Sequence, residues 1–133
     1  MDFARFHPGG SLGRKLLTRV KDVMHRDVPT VDPTASLREC LMAMTIGRIG
    51  LVVVMQENDL LGIITDGDIR RGLINEEGLV TKCARDLMST TPYSIDETRL
   101  VADAEDIMRE KKIKALLVKG QHNNVAGVIE IFN

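Results

Sequence analysis

Apolar positions in this chain come in short blocks, and the same order of blocks occurs twice. Lys21-Asp22-Val23-Met24 recurs 64 positions later as Arg85-Asp86-Leu87-Met88, and the same shift carries Asp32 to Asp96, Thr34 to Thr98, Met44 to Met108 and Ile49 to Ile113. It also carries Val53-Val54 to Leu117-Val118. One further residue in the next turn then sets Gly62-Ile63-Ile64 against Gly127-Val128-Ile129. A self-similarity of this period marks one supersecondary unit used twice, with a seam near Asn75 to Lys82.

Each copy is predicted to be β-α-β-β-α. After Pro29 and Pro92, Thr30-Val31 and Ser94-Ile95 read as short extended pieces. Ser36 and Glu39 have the spacing of a capping box, and Leu37, Leu41 and Met44 follow at helical spacing, as do Val101, Ala104, Ile107 and Met108 in the second copy. Two β-branched runs come next, Leu51 to Met55 and Leu60 to Ile64, split by the polar turn Gln56 to Asp59. Their counterparts are Ala115 to Val118 and Val125 to Ile131, split by Gly120 to Asn124. A second helix is predicted from Asp66 to Asp68 onward, through Ile69 and Leu73 to a stop at Gly78. The second copy is expected to be cut before its last helix.

A unit of this size does not cover both faces of its own sheet. Two such units packed sheet against sheet would, leaving a cleft on a pseudo-twofold axis. The expected architecture is therefore α/β (α+β), with residues 1–19 as a leading linker, 20–78 as the first repeat and 79–133 as the second.

Composition narrows the function classes. None of the apolar runs approaches the ~18 residues of a membrane helix, although hydrophobic residues make up 44% of the 133. Eighteen basic residues against 19 acidic give a net charge of −1, which lacks the field of a general nucleic-acid binder. Aromatics are 3%, with no Trp and one Tyr, so a base-stacking platform is excluded. Cys40 and Cys83 belong to no CxxC, and His7, His25 and His122 are scattered. No metal site is expected, and the thiols read as buried or idle in a reducing compartment. The start, MDFARFHPGGSLGRK, lacks the charged and apolar regions of a secretory signal, so the cytoplasm is the expected location. Gly9, Gly10 and Gly13 fit no phosphate-loop spacing and read as a flexible joint. Arg14, Lys15, Arg19 and Lys21 read as a solvated face, and Met24, Met42, Met44, Met88 and Met108 as core filling.

Gly62-Ile63-Ile64-Thr65-Asp66-Gly67-Asp68 resembles the G-hydrophobic-x-T-x-x-D signature of CBS domains, and the tandem order over residues 20 to 133 is also theirs. That resemblance implies a regulatory module of the kind attached to enzymes, transporters and channels, many of which bind adenosine nucleotides between their halves. The stretch from Asp2 to Leu17 is similar to the joint of D-arabinose 5-phosphate isomerases, in which a sugar-isomerase (SIS) domain precedes a CBS pair; Thr65 to Arg71 is similar to the same family's motif. This likeness implies a C-terminal regulatory region, inactive alone, whose parent interconverts D-arabinose 5-phosphate and D-ribulose 5-phosphate. The pathway is then Kdo synthesis for lipopolysaccharide or capsule, or glucitol metabolism in the family's other branch. Met1 would be an artificial start. No cofactor is implied; the implied partners are the chain's own upstream SIS domain and a second CBS pair, giving a homodimer within a tetrameric parent. In the resembling isomerases the histidine of the HPGG motif is counted among active-site residues. Carried onto His7, this gives an imidazole suited to moving protons near neutral pH.

The chemistry of the first motif follows from its position. Thr65 ends a strand and a helix begins at once, so free N–H groups and the positive helix end converge there. A phosphate could accept from Thr65 and the amides, a ribose could donate to Asp68, and Arg70 and Arg71 add positive charge. Capping of the helix by Thr65 and Asp68 is the alternative use of the same residues. Base recognition is expected from backbone around Val28-Pro29-Thr30 and Arg48-Ile49. The candidate ligands are AMP, ADP or ATP, or CMP-Kdo as a pathway end product. In the second copy Glu130 and Asn133 replace Thr65 and Asp68, so no phosphate site is expected there. A subunit-holding module without a ligand, and a free-standing nucleotide-sensing CBS protein, are the competing functions.

Overall fold

The computed structural model describes residues 17–75, 78 and 81–130. His7, the glycines of the joint, Arg14, Lys15 and Asn133 lie outside the described residues. In chain order the elements are α1 (Val20–Val23), β1 (Thr30–Val31), α2 (Leu37–Gly47), β2 (Leu51–Gln56), β3 (Asp59–Thr65), α3 (Asp66–Asn75), α4 (Ala84–Leu87), β4 (Ser94–Asp96), α5 (Val101–Lys111), β5 (Ala115–Lys119) and β6 (Val125–Glu130). The strands form two three-stranded sheets, β1-β2-β3 and β4-β5-β6.

Residues 27–92 make one compact unit. Its long helix starts where the capping chemistry says: Ser36 Oγ accepts from Glu39 N at 3.1 Å, and Ser36 N donates to Glu39 Oε1 at 2.8 Å. The helix closes on Arg48, which takes the left-handed conformation at φ 58°. Leu37, Cys40 and Met44 point inward and pack with Val31, Val52, Val54, Ile64 and Ile69. Leu41, expected on that inward face, is exposed, as is Met42. Both i, i+3, i+7 and i, i+4, i+7 stripes fit one helix face, and the small thiol of Cys40 fills the place beside the sheet. β1 runs parallel to β2 with Thr30 opposite Val53, and β2 runs antiparallel to β3 with Leu51 opposite Thr65. The connecting turn is only Glu57-Asn58, with Glu57 at φ 56°. Both faces of β2 are buried, from Leu51 through Val54.

The second unit repeats the pattern. Val20, Met24, Ile95, Ala104, Met108, Leu116, Val118 and Ile129 form its core. Leu100 stands where Ser36 capped α2, so only half a box survives: Leu100 N donates to Asp103 Oδ2 at 3.3 Å.

The units are not the contiguous copies cut at residue 78. Of the described residues, 17–26 join those from Tyr93 to Glu130. Val20 N bonds Arg99 O at 2.8 Å, and His25 and Val128 exchange two backbone bonds of 2.8 and 3.0 Å. Conversely, α4 belongs with the first repeat: Ala84 N bonds Ala35 O at 2.7 Å, and Ser89 and Ile63 exchange bonds of 2.8 and 3.0 Å. Each single-turn helix carries an apolar pair, Val20 with Met24 and Ala84 with Met88, onto the hairpin of the other copy. Gly62 and Gly127 permit the approach, because a Cβ on either would run into the carbonyl of Ser89 or His25. No helix among the described residues is long and apolar enough to cross a membrane.

Candidate functional site

The register of the first sheet places the predicted residues. Cross-strand partners share a face, so Thr30, Val53 and Ile63 lie in one row and Leu51 and Thr65 in another, on the same side. Val52, Val54 and Ile64 occupy the opposite side, facing α2. The start of β1, the loop after α2 and the junction of β3 with α3 therefore meet at one end of the sheet. Two contacts tie them together: Asp66 N donates to Gly50 O at 3.0 Å, and Pro29 packs against Gly47 so closely that a Cβ would overlap it.

Thr65 and Asp68 serve each other at the start of α3. Asp68 N donates to Thr65 Oγ1 at 3.0 Å, and Thr65 N donates to Asp68 Oδ2 at 3.2 Å. This is the reciprocal cap, the helix-start use of these residues. Arg71 Nη2 donates to Asp68 Oδ1 at 2.6 Å, and Arg70 reaches Asp66 at 3.5 Å. The cluster is accessible: side chains of Asp68 and Arg71 are 35% and 68% exposed. Thr65, Asp68 and Arg71 are thus brought together, whereas Arg70 turns to Asp66.

Thr30 and the Arg48-Ile49 loop are placed at the same sheet end as the cap. Thr30 is exposed and its hydroxyl donates to Val28 O at 3.1 Å. Val53 N donates to Pro29 O at 2.8 Å, and β1 is an edge strand, so the ladder pattern turns the N–H and C=O of Thr30 outward. Arg48 is exposed, whereas Ile49 is 3% exposed and its N–H donates to Met44 O at 3.3 Å, so of this pair Arg48 is the one open to a ligand.

Electrostatics outside this cluster is local. The Thr34 hydroxyl, with the Thr34 N–H, holds Asp32 below the usual carboxylate range, and Thr98 does the same for Asp96. The backbone N–H of Cys83 and then its thiol lower Asp86. Burial, helped by Glu39 and Cys83, pushes the Cys40 thiol up.

The second unit departs at the equivalent place. Glu130 ends β6 where Thr65 ends β3, and His25 Nε2 lies 3.3 Å from Glu130 Oε1. His25 is 105 positions away in sequence and no local spacing signals this pairing. Gly67 is the other residue sequence reading passed over; its role beside Arg71 depends on a fold-back that only the structure reveals.

Two β-α-β-β units, each with a parallel edge strand, define a tandem α+β module. The CBS domain family matches residues 20–75 and 84–132, and the chain belongs to that family. A relative from Haemophilus influenzae named "Probable arabinose 5-phosphate isomerase" is 48% identical over 130 residues, 97% of this chain and 39% of that protein. Arabinose 5-phosphate isomerase KpsF from Escherichia coli is 44% identical over 133 residues, 99% of this chain and 41% of that protein. The chain thus spans about two-fifths of the length of these curated relatives. Among solved structures, a CBS domain protein from Pyrobaculum aerophilum complexed with AMP superposes with a TM-score of 0.73 at 22% identity, covering 84% of this chain and 86% of that one. At that identity the likeness is one of fold.

Proposed function

We propose that this chain is the regulatory CBS-pair region of an arabinose 5-phosphate isomerase, and that a nucleotide bound at Thr65 and Asp68 is its signal. The observation that carries the isomerase reading is 48% identity over nearly the whole chain to a relative bearing that name. The parent interconverts D-arabinose 5-phosphate and D-ribulose 5-phosphate in the cytoplasm, supplying Kdo for lipopolysaccharide or capsule. An upstream SIS domain holds the sugar, and His7 of the joint moves a proton there.

In the ligand site the ribose donates to Asp68 and the phosphate meets Thr65 and the first amides of α3. The base reads the outward backbone of Thr30 and the Arg48-Ile49 turn. The AMP complex of a structural relative supports a nucleotide; CMP-Kdo is the pathway-derived candidate. Glu130 at the matching position of the second unit repels phosphate, so one ligand binds per chain. A subunit-holding role is a second reading, favoured by the exposed stripe Leu41, Met42 and Ile46 on α2.

A melting screen of AMP, ADP, ATP, CMP and CMP-Kdo tests the ligand reading. A hundredfold excess over Kd stabilises by ~2.7 kcal/mol, several degrees for a chain of this size. Asp68→Ala should lose that shift. If none of the five shifts the wild type, the subunit-holding reading stands instead. Joined to the upstream domain, His7→Ala should lower turnover by ~10² or more if it transfers protons; an unchanged turnover would make it part of the joint only.

A further inference from the structure

The 64-residue shift of the repeat carries α2 onto α5 position by position. Inward positions agree: Cys40 matches Ala104 and Met44 matches Met108, and all four are buried. Outward positions do not. Leu41, Met42, Thr45 and Ile46 on α2 stand where α5 has Glu105, Asp106, Arg109 and Glu110. On α5, Arg109 pairs with both Glu105 and Asp106, the pattern of a helix face that stays in water. On α2, Leu41, Met42 and Ile46 are 40%, 49% and 78% exposed. Thr45 donates its hydroxyl to Leu41 O at 2.9 Å, so the polar atom in the middle of the stripe is satisfied within its own helix.

α3 stands on the same side of the first sheet as α2, because Ile69 enters the same core as Leu37, Cys40 and Met44. It adds Leu73 and Ile74, 55% and 82% exposed. Five of the eight large apolar side chains exposed among the described residues thus belong to these two helices, and none belongs to α5. At these exposures the five leave on the order of 500 Å² uncovered, the size at which an apolar patch marks an interaction site. Two such faces together reach the ~1,000 Å² that a specific protein interface needs.

Charge decides how a second copy would sit. Seating α2 of one copy on α5 of the other would bury Glu105, Asp106 and Glu110 against Leu, Met and Ile, with no cation inside the stripe to meet them. Placing α2 against α2 buries no charge of the stripe and is self-complementary, as a twofold contact must be. We propose that two copies of this chain associate through a twofold contact of the first unit alone, α2 facing α2 with α3 at its flank, and that α5 stays in water. This deepens the subunit-holding reading above by naming its face, and it requires no nucleotide.

Cysteine cross-linking tests this in the 133-residue chain carrying Cys83→Ser, since the other cysteine, Cys40, is buried. One series takes Leu41→Cys, Met42→Cys, Thr45→Cys and Ile46→Cys singly; the other takes Glu105→Cys, Asp106→Cys, Arg109→Cys and Glu110→Cys. Under diamide at least one member of the first series should become a covalent dimer, because residues beside a twofold axis meet their own copies within disulfide reach. The second series should remain single chains. In sedimentation equilibrium Ile46→Glu should weaken the dimer by ~10²-fold or more, whereas Glu110→Ile should leave it unchanged; melting of each variant checks its fold. Covalent dimers from the α5 series, or none from the α2 series of a dimeric protein, overturn the choice of face and leave the subunit-holding role standing. A monomeric wild type overturns the contact and that role together.

Discussion

Replacing Gly62 with alanine would drive a methyl group into the backbone carbonyl of Ser89, with Met88 Sδ only 3.0 Å and its Cγ 3.1 Å from the new atom. The methionine can turn aside, but the carbonyl cannot, because it accepts from Ile63 N at 3.0 Å while Ser89 N donates back to Ile63 O at 2.8 Å. The strand-like pairing must open. Two backbone hydrogen bonds at a net ~1 kcal/mol each, with ~1–3 kcal/mol for overpacking, give a destabilisation of ~3–5 kcal/mol. The entropy the alanine removes from the unfolded chain returns under ~1 kcal/mol. For a chain of this length the melting point should fall by ~10–15 °C. Gly50→Ala is the control: its new Cβ would meet only the Asp66 carboxylate, at 3.2 Å, a side chain that can shift, so the melting point should stay within ~3 °C. Differential scanning calorimetry reads both, and Gly127→Ala, facing His25, repeats the test in the other unit. A Gly62→Ala melting point within ~3 °C of wild type would refute the pairing of the α4 segment with β3.

Three further outcomes follow from the same structure. Asp32 and Asp96 have folded pKa values below their unfolded ~3.9, so their stabilisation is complete above that value and is lost as pH falls through the folded values. Melting points should be flat above pH ~5 and fall below ~4, less steeply in an Asp32→Asn/Asp96→Asn variant; an equal slope contradicts the assignment. Iodoacetamide followed by peptide mapping should label Cys83 and spare the buried Cys40, whose thiol is raised; earlier labelling of Cys40 contradicts its placement. Light scattering at tens of micromolar should give twice the 14.8 kDa chain mass, and Ile46→Glu with Leu41→Glu should halve it; a monomeric wild type would leave the α2 stripe without the partner proposed for it.

Much of the fold was legible because it is written locally. Ser36 and Glu39 start α2 by their own hydrogen bonds, and the β-branched runs became β2, β3, β5 and β6 within a residue or so at each described end. What was hidden is long-range. Val20 and Ala84 lie in single turns too short for any periodicity, so nothing in the pattern says that each packs with the other copy. Leu41 and Cys40 both satisfy helical spacing to Leu37 and Met44, and only the sheet decides between them. Thr65 and Asp68 fit both a ligand motif and a capping motif by sequence; the structure shows the reciprocal cap, through Thr65 Oγ1 and Asp68 Oδ2. Met44 and Met108 are buried in their own units, as core filling requires, whereas Met42, also expected in the core, is exposed beside Leu41 and Ile46. The fold-back of Arg71 and the His25–Glu130 contact depend on three-dimensional placement alone.

Amide chemical shifts of the isotope-labelled chain, followed while AMP and then CMP-Kdo are added, test the central claim most directly, because they report whether a nucleotide binds and where. Shifts should concentrate at Thr30, at Ile49 and Gly50, and at Thr65 through Asp68, saturate at one ligand per chain, and spare Lys112 through Lys114 and Glu130. Shifts centred on Glu130 and Lys112, or no shifts with either ligand, would contradict a nucleotide site at the start of α3.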